Sequence, residues 1–482
     1  MKRQFFKHGL VYGGANVISS MGTIVLVPIY ARALQPSEYG VVDFLAVVQS
    51  LVQVCAGLEI TQGIARFYAA AETDADQQAY ASTGLWFLLA SVATVCVLLY
   101  AAGRVFGAQF LGLGQGRGLF EIALFSVYVR ILFYALQGQA RWELRSALYS
   151  AASFIVATCT IGAVAYLLLV QHAGLIGVFT GLSLGYGAGC VFCLVSLRHT
   201  YRLVIFDWKR LRQMLRFSLP LTFSSLALFF ANYGDRIILR SALGFHELGV
   251  YGIGARLAAV ITLVINGFQL GAAPLIYRHY TQPETPAALA QLMRLFLAAG
   301  LLGVVSLAAF SIELLQVFTT PQYAGAWRLI PVLALAIVVA NLYIFVPGLT
   351  VRNMTTRFAF VNVATAGITL LLIAVFLRLF GVLGAALGVL SGAAAGFVMH
   401  ATASQQVYAI PLDRRRLAGG IFIAALAIAV SWALGSAGGM SFGLRVLLFV
   451  SASFALVAVL VTSEERALAQ RSIWTFASAT RV

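Results

Sequence analysis

Apolar residues fill this chain in runs of about 20, separated by short polar connections, which is the length a helix needs to cross a bilayer. Hydropathy windows of about 19 residues place spans at 10–30, 40–60, 84–102, 119–136, 147–170 and 175–197. A second set follows at 217–239, 250–273, 292–318, 330–349, 359–380 and 382–403, with two more at 417–434 and 444–461. The pattern predicts an all-α polytopic membrane protein of about fourteen transmembrane helices. An even count puts both termini on one side. The run at 10–30 follows Met1, Lys2 and Arg3 as a signal peptide would, but it exceeds the roughly 7–15 apolar residues of a signal core, and Arg32 interrupts the small-residue patch after it. It is read as the first span.

The chain also repeats itself. Ala33-Leu34 with Glu38-Tyr39-Gly40-Val41 recurs as Ala242-Leu243 with Glu247-Leu248-Gly249-Val250. Independently, Gly174-Leu175-Ile176-Gly177 with Gly181 recurs as Gly381-Val382-Leu383-Gly384 with Gly388, at nearly the same register. Two matches at one spacing predict two six-helix lobes that enter the membrane from the same side and enclose a central cavity. The expected divisions are an N-terminal lobe at 1–200, a basic linker at 201–215, a C-terminal lobe at 216–405, and a terminal helix pair with a tail at 406–482.

Composition strengthens this picture. Of the 482 residues 61% are hydrophobic and only 10% charged, with a mean hydropathy of +0.92, where a soluble domain carries roughly 25% charged residues. The net charge of +16 would suggest nucleic acid in a soluble protein, but here the 32 Lys and Arg sit mostly in loops. No nucleic-acid partner is expected. Their distribution orients the chain: with the N-terminus cytoplasmic, Lys2, Arg3, Lys7, Arg141, Arg145, the basic linker, Arg414, Arg415, Arg416 and the tail arginines all fall inside. Cys55, Cys96, Cys159, Cys190 and Cys193 lie in apolar segments and are read as free thiols. The six histidines are scattered singly and no nucleotide-binding glycine pattern occurs, so neither a metal nor another cofactor is expected.

The residues that carry candidate chemistry are ionisable groups inside apolar spans, since each costs about 2.5–3.5 kcal/mol at a helix centre unless it faces a cavity or a partner. Arg130 and Arg256 are embedded most deeply. Arg66 and Arg352 close the second and tenth spans. As a group they suit a lining for an anionic headgroup such as pyrophosphate, where arginine presents a planar fork of donors. Interhelical pairing and snorkelling to the interface are the competing explanations, and for Arg66 so is membership of the cytoplasmic positive belt. Asp43, Glu59, Asp235 and Arg236 are candidates for coupling or gating, against the alternative of charge clusters at helix ends. Asn232, Asn266, Gln269 and Asn341 either add hydrogen bonds to the cavity or join helices.

Leu26-Val27-Pro28-Ile29-Tyr30, then Leu34-Gln35-Pro36-Ser37-Glu38-Tyr39-Gly40, Gly63-Ile64-Ala65-Arg66-Phe67-Tyr68, Asp235-Arg236-Ile237-Ile238-Leu239 and Gly249-Val250-Tyr251 resemble the polysaccharide transporter family. That family is the O-antigen flippase-like branch of the multidrug, oligosaccharidyl-lipid and polysaccharide exporter superfamily. The resemblance implies a two-lobed bundle, alternating between inward-open and outward-open forms, that flips an undecaprenyl pyrophosphate-linked oligosaccharide to the periplasmic leaflet of a bacterial inner membrane. It implies a transporter and not an enzyme. The expected partners are that lipid-linked substrate, membrane lipids, and as candidates a polysaccharide polymerase and chain-length machinery. The alternatives are an ion-coupled multidrug exporter of the same superfamily and a membrane polysaccharide polymerase, although the large outer loop of a polymerase is missing. Unlike the related lipid II flippases, the chain has no basic residue inside its first span.

Overall fold

The computed structural model describes residues 22, 24–106, 118–202, 205–352, 354–436, 442–463 and 465. The protein is about 89% helical, and there are no strands among the described residues. The helices are α1 (Ile24–Ala33), α2 (Pro36–Gly57), α3 (Ile60–Ala70), α4 (Asp74–Phe106), α5 (Leu119–Trp142), α6 (Ser146–Ala165), α7 (Gly174–Ser196), α8 (Trp208–Ala258), α9 (Thr262–His279), α10 (Thr285–Phe318), α11 (Leu329–Asn341), α12 (Gly348–Val351), α13 (Thr355–Gln405), α14 (Arg414–Ser436) and α15 (Phe442–Leu460). Eleven segments among the described residues are long and apolar enough to cross a membrane, so the chain is a polytopic helical membrane protein. The expected span at 10–30 falls mostly outside the described residues.

Local chemistry sets the helix starts and breaks. Pro36 needs no amide partner in the first turn of α2, and the Gln35 amide donates to Glu38 Oε2 at 2.9 Å. At α5 the Gly118 amide donates to Glu121 Oε2 at 3.0 Å, so this carboxylate caps a helix start. α8 and α13 fold back on themselves at Gly244 (φ 84°) and Gly381 (φ 61°), conformations that cost a glycine little. The expected boundary between spans 359–380 and 382–403 is this turn at Gly381. By contrast, the run expected as one span at 330–349 is helical only to Asn341. It tightens to a 3₁₀ segment at Leu342–Phe345 and restarts at Gly348, because Pro347 cannot continue the ladder.

The internal repeat has a structural counterpart. Gly174 opens α7 with φ 53° and so matches Gly381 in role. In the first hairpin, a Cβ built at Gly181 would come within 3.0 Å of the Val164 backbone on α6. In the second, the same atom at Gly388 would lie 2.6 Å from Ile373 Cα. Both hairpins are antiparallel pairs packed through small residues. The first carries an additional π-helical turn, Tyr166–Val170, ahead of its glycine. The other repeated motif meets its own copy. A Cβ on Gly40 would lie 1.9 Å from the Phe245 carbonyl oxygen, and one on Gly249 would lie 1.8 Å from the Pro36 carbonyl oxygen. The two segments touch backbone to backbone in a reciprocal contact.

By packing, the chain divides into two compact units. The first takes in Met1–Arg256 and Val317–Ala324, and the second Leu257–Gln316 and Gly325–Val482. The first extends past the basic linker because both arms of α8 are held in it, through the Gly40 and Gly249 contact and the ion pairs described below. Its apolar core includes Val52, Ile60, Leu88 and Ile131, and a second cluster joins α5, α6 and α7 through Phe133, Val156 and Cys193. In the second unit, α15 is fastened to α10 by an ion pair between Arg445 and Glu313. A hydrogen bond from Ser431 to the Ala308 carbonyl at 2.5 Å ties α14 to the same helix.

Candidate functional site

Two adjoining cavities lie within the first unit. One, of about 370 Å³, is bordered by α1, α2, α5, α6, α7 and the end of α8. Its wall includes Tyr30, Gln49, Tyr134, Gln137, Tyr186, Arg130 and Arg256. The other, of about 480 Å³, runs along α2, the α2–α3 break and α5, with Tyr233 from α8. Gln49, Arg130, Tyr134, Gln137 and Tyr149 border both. Arg130 therefore stands at the junction.

On α5, Arg130, Tyr134, Gln137 and Arg141 follow one another at spacings of four, three and four residues, so they form a single stripe on the helix. The Arg130 guanidinium carbon sits 5.2 Å from the centre of the Tyr186 ring and 5.9 Å from that of Tyr134. Its Nε is buried with no hydrogen-bond acceptor, and no carboxylate pairs with it among the described residues. The aromatic faces partly offset the loss of water. A guanidinium in this setting has donors to spare for an anion.

Arg256 borders the first cavity under different conditions. It lies 5.3 Å from the Tyr39 ring centre and 6.0 Å from that of Tyr30, and its Nη2 is 3.7 Å from Asp43 Oδ1. Asp43 is buried and also accepts from Arg236 Nε at 3.1 Å. Arg236 in turn donates to Asp235 Oδ1 at 3.1 Å, and Asp235 accepts the Tyr251 hydroxyl at 2.6 Å. The four charged groups form one chain with two of each sign. Room for Asp43 comes from Gly252, where a Cβ would stand 3.1 Å from the carboxyl. Asp43, Asp235 and Arg236 thus gather into a single network that joins α2 to both arms of α8, and none of the three borders either cavity.

Glu59 lines the second cavity. It follows Leu58, and the two residues adopt φ values of 52° and 46°, a left-handed pair without glycine between α2 and α3. Such backbone is strained and persists where surrounding structure imposes it. The Glu59 carboxylate has no ion-pair partner among the described residues, Arg66 included. Arg66 is exposed, 4.3 Å from the Phe217 ring centre, and borders neither cavity. Arg352 lies in the second unit as an exposed residue at the end of α12, also away from the cavity walls. Of the polar candidates, Gln269 donates to Asn341 at 3.3 Å and so joins α9 to α11. The glutamines of α2 and the tyrosines around Arg130 were not anticipated. Their signal was the polar stripe at helical spacing inside an apolar run, Gln49 and Gln53 on α2 beside Arg130, Tyr134 and Gln137 on α5.

Solved structures of membrane transporters share this helical fold. The lipid II flippase MurJ in an inward closed conformation aligns with a TM-score of 0.67 over 93% of this chain and 98% of its own, at 11% identity. An inward-facing multidrug resistance MATE family transporter of the MOP superfamily aligns with a TM-score of 0.65 over 80% and 94%, at 14% identity. An outward-facing structure of a MATE family transporter gives 0.58 over 83% and 95%, also at 14% identity. A family profile described as polysaccharide biosynthesis protein matches residues 5–278, and the chain belongs to that family. No curated protein matches the chain by sequence.

Proposed function

We propose that the protein flips an undecaprenyl pyrophosphate-linked oligosaccharide, the repeat unit of an O-antigen, capsule or exopolysaccharide, from the cytoplasmic to the periplasmic leaflet of a bacterial inner membrane. It works by alternating access as a transporter and not as an enzyme. The observation that carries this reading is Arg130, a half-buried arginine with a buried Nε, aromatic neighbours, no counter-charge among the described residues and a place at the junction of two cavities. Membership of a polysaccharide biosynthesis family supports the carbohydrate part of the substrate.

In this reading both termini are cytoplasmic, as the basic loops favour, and the lobes at 1–200 and 216–405 are joined by the linker at 201–215, with 406–482 as an added pair. Arg130 takes the phosphates first, and Arg256 contributes when Asp43 releases it. The network of Asp43, Arg236 and Asp235 acts as the gate that a change of conformation must open. Arg66 and Arg352 serve as cationic approaches at the cytoplasmic face. A polymerase and chain-length machinery are the expected neighbours. Glu59, the only carboxylate among the described cavity-lining residues, favours a second reading, an ion-coupled exporter of cations.

One experiment separates them. The gene is deleted in its host, and complemented with wild type and with Arg130→Ala at equal abundance. Loss of surface polysaccharide with lipid-linked oligosaccharide retained on the cytoplasmic leaflet, uncorrected by Arg130→Ala, is the expected result. Intact polysaccharide with altered drug sensitivity would establish the exporter instead.

A further inference from the structure

The second cavity differs from the first in what its wall offers. Beyond the shared residues, the first adds Arg256, two tyrosines and three hydroxyls (Ser126, Ser153 and Thr160) to an aliphatic wall, and no further amide or carboxylate. The second adds Gln53, Glu59, Thr61, Gln62, Tyr233, Trp142 and Arg141, whose guanidinium carbon lies 4.6 Å from the Trp142 ring centre. Gln49, Gln53 and Gln62 make no side-chain hydrogen bond to another described residue among those the structure shows, so each amide has both a donor and an acceptor to give. Beside them the carboxylate of Glu59 accepts only, and the strained turn at Leu58 and Glu59 holds it on the wall. Trp142 and Tyr233 add broad aromatic faces.

A hydroxyl-rich ligand matches this set. Each sugar hydroxyl both donates and accepts, which suits amides, vicinal hydroxyls donate to one carboxylate, and the C–H face of a pyranose ring packs on an aromatic plane. At about 480 Å³ the space falls in the usual range of roughly 300–1,000 Å³ for ligand sites. An apolar ligand would leave the amides unpaired.

We infer that this cavity is a carbohydrate compartment, and that it takes the sugar joined to the phosphate held at Arg130. The inference rests on the reading of Arg130 given above. Arg130 then marks where the anion ends and the polyol begins, and the α2–α3 wall sets which sugars follow. Glu59, Gln53, Gln62 and Trp142 are the residues that determine specificity.

The test uses the full-length protein in detergent and two probes, undecaprenyl diphosphate alone and the same lipid carrying a neutral disaccharide, with binding followed by native mass spectrometry. The wild type is expected to bind the glycosylated lipid at least about tenfold more tightly, since a site built to hydrogen-bond hydroxyls discriminates strongly against ligands that lack them. Gln53→Leu with Gln62→Leu, and separately Trp142→Ala, should erase that preference and leave affinity for the bare lipid unchanged. A wild type with no preference, or a preference that survives in both variants, overturns the compartment. Arg130→Ala should weaken both probes alike. If it weakens neither, the anion reading itself fails, a result distinct from failure of the sugar wall.

Discussion

Arg130 on α5 and Arg256 on α8 border the same cavity, and both rest against tyrosine rings. Arg256 has Asp43 within 3.7 Å, and Asp43 is shared with Arg236. Arg130 has no acid among the described residues. An arginine at the centre of a spanning helix costs a few kcal/mol, and pairing it with a buried acid offsets part of that cost and makes each partner costly to remove. An unpaired one recovers it only in part from aromatic faces, and otherwise from water or from a ligand. The contrast teaches that a buried charge should be read through its counter-charge: the compensated arginine secures helices, and the uncompensated one is available to a substrate.

The largest expected effect breaks the compensated side. Asp43→Ala leaves Arg236 and Arg256 short of their shared acid and should lower stability by about 3–5 kcal/mol, seen as a drop in the thermal midpoint in detergent. A drop below about 1 kcal/mol would mean that the network does not hold α2 to α8. Next comes the reciprocal backbone contact. Gly249→Ala drives a methyl into the Pro36 carbonyl, and Gly40→Ala does the same to Phe245, so each should cost about 1–3 kcal/mol, while the pair combined should cost less than the sum because both open one contact. The smallest change in stability belongs to the uncompensated side. Arg130→Met should stay within about 1 kcal/mol of wild type or exceed it, since a well-packed apolar group replaces an unpaired charge, even though transport is lost. Equal destabilisation by Arg130→Met and Asp43→Ala would erase the distinction.

Much of this architecture was legible in the chain. Apolar runs located the spans because a bilayer admits few other structures, and the turn at Gly381 was visible from a glycine between two such runs. The break at Pro347 was hidden, since hydropathy averages over a window and Leu342, Tyr343 and Phe345 are as apolar in a 3₁₀ segment as in a helix. At the site, Arg130 and Arg256 stood out as cations in apolar sequence, but the acid that distinguishes them did not. Asp43 is 193 residues from Arg236, and nothing in local periodicity reports a pairing across that distance. Arg66 shows the opposite limit: its position at a span end suited a cavity, while its partner is the ring of Phe217.

The π-helical turn at Tyr166–Val170 has a consequence for how the two hairpins have diverged. In the first copy the turn glycine Gly174 stands ten positions after Val164, and in the second Gly381 stands eight after Ile373. The extra length is housed in the widened turn and the short connection after it, and the interhelical glycine contacts beyond it face equivalent partners in both copies. The hairpin tip is therefore a place where insertions and deletions can accumulate, while the packed faces are locked in phase. Lengthening or tagging this protein between its sixth and seventh helices should be tolerated where the same edit one turn deeper would not.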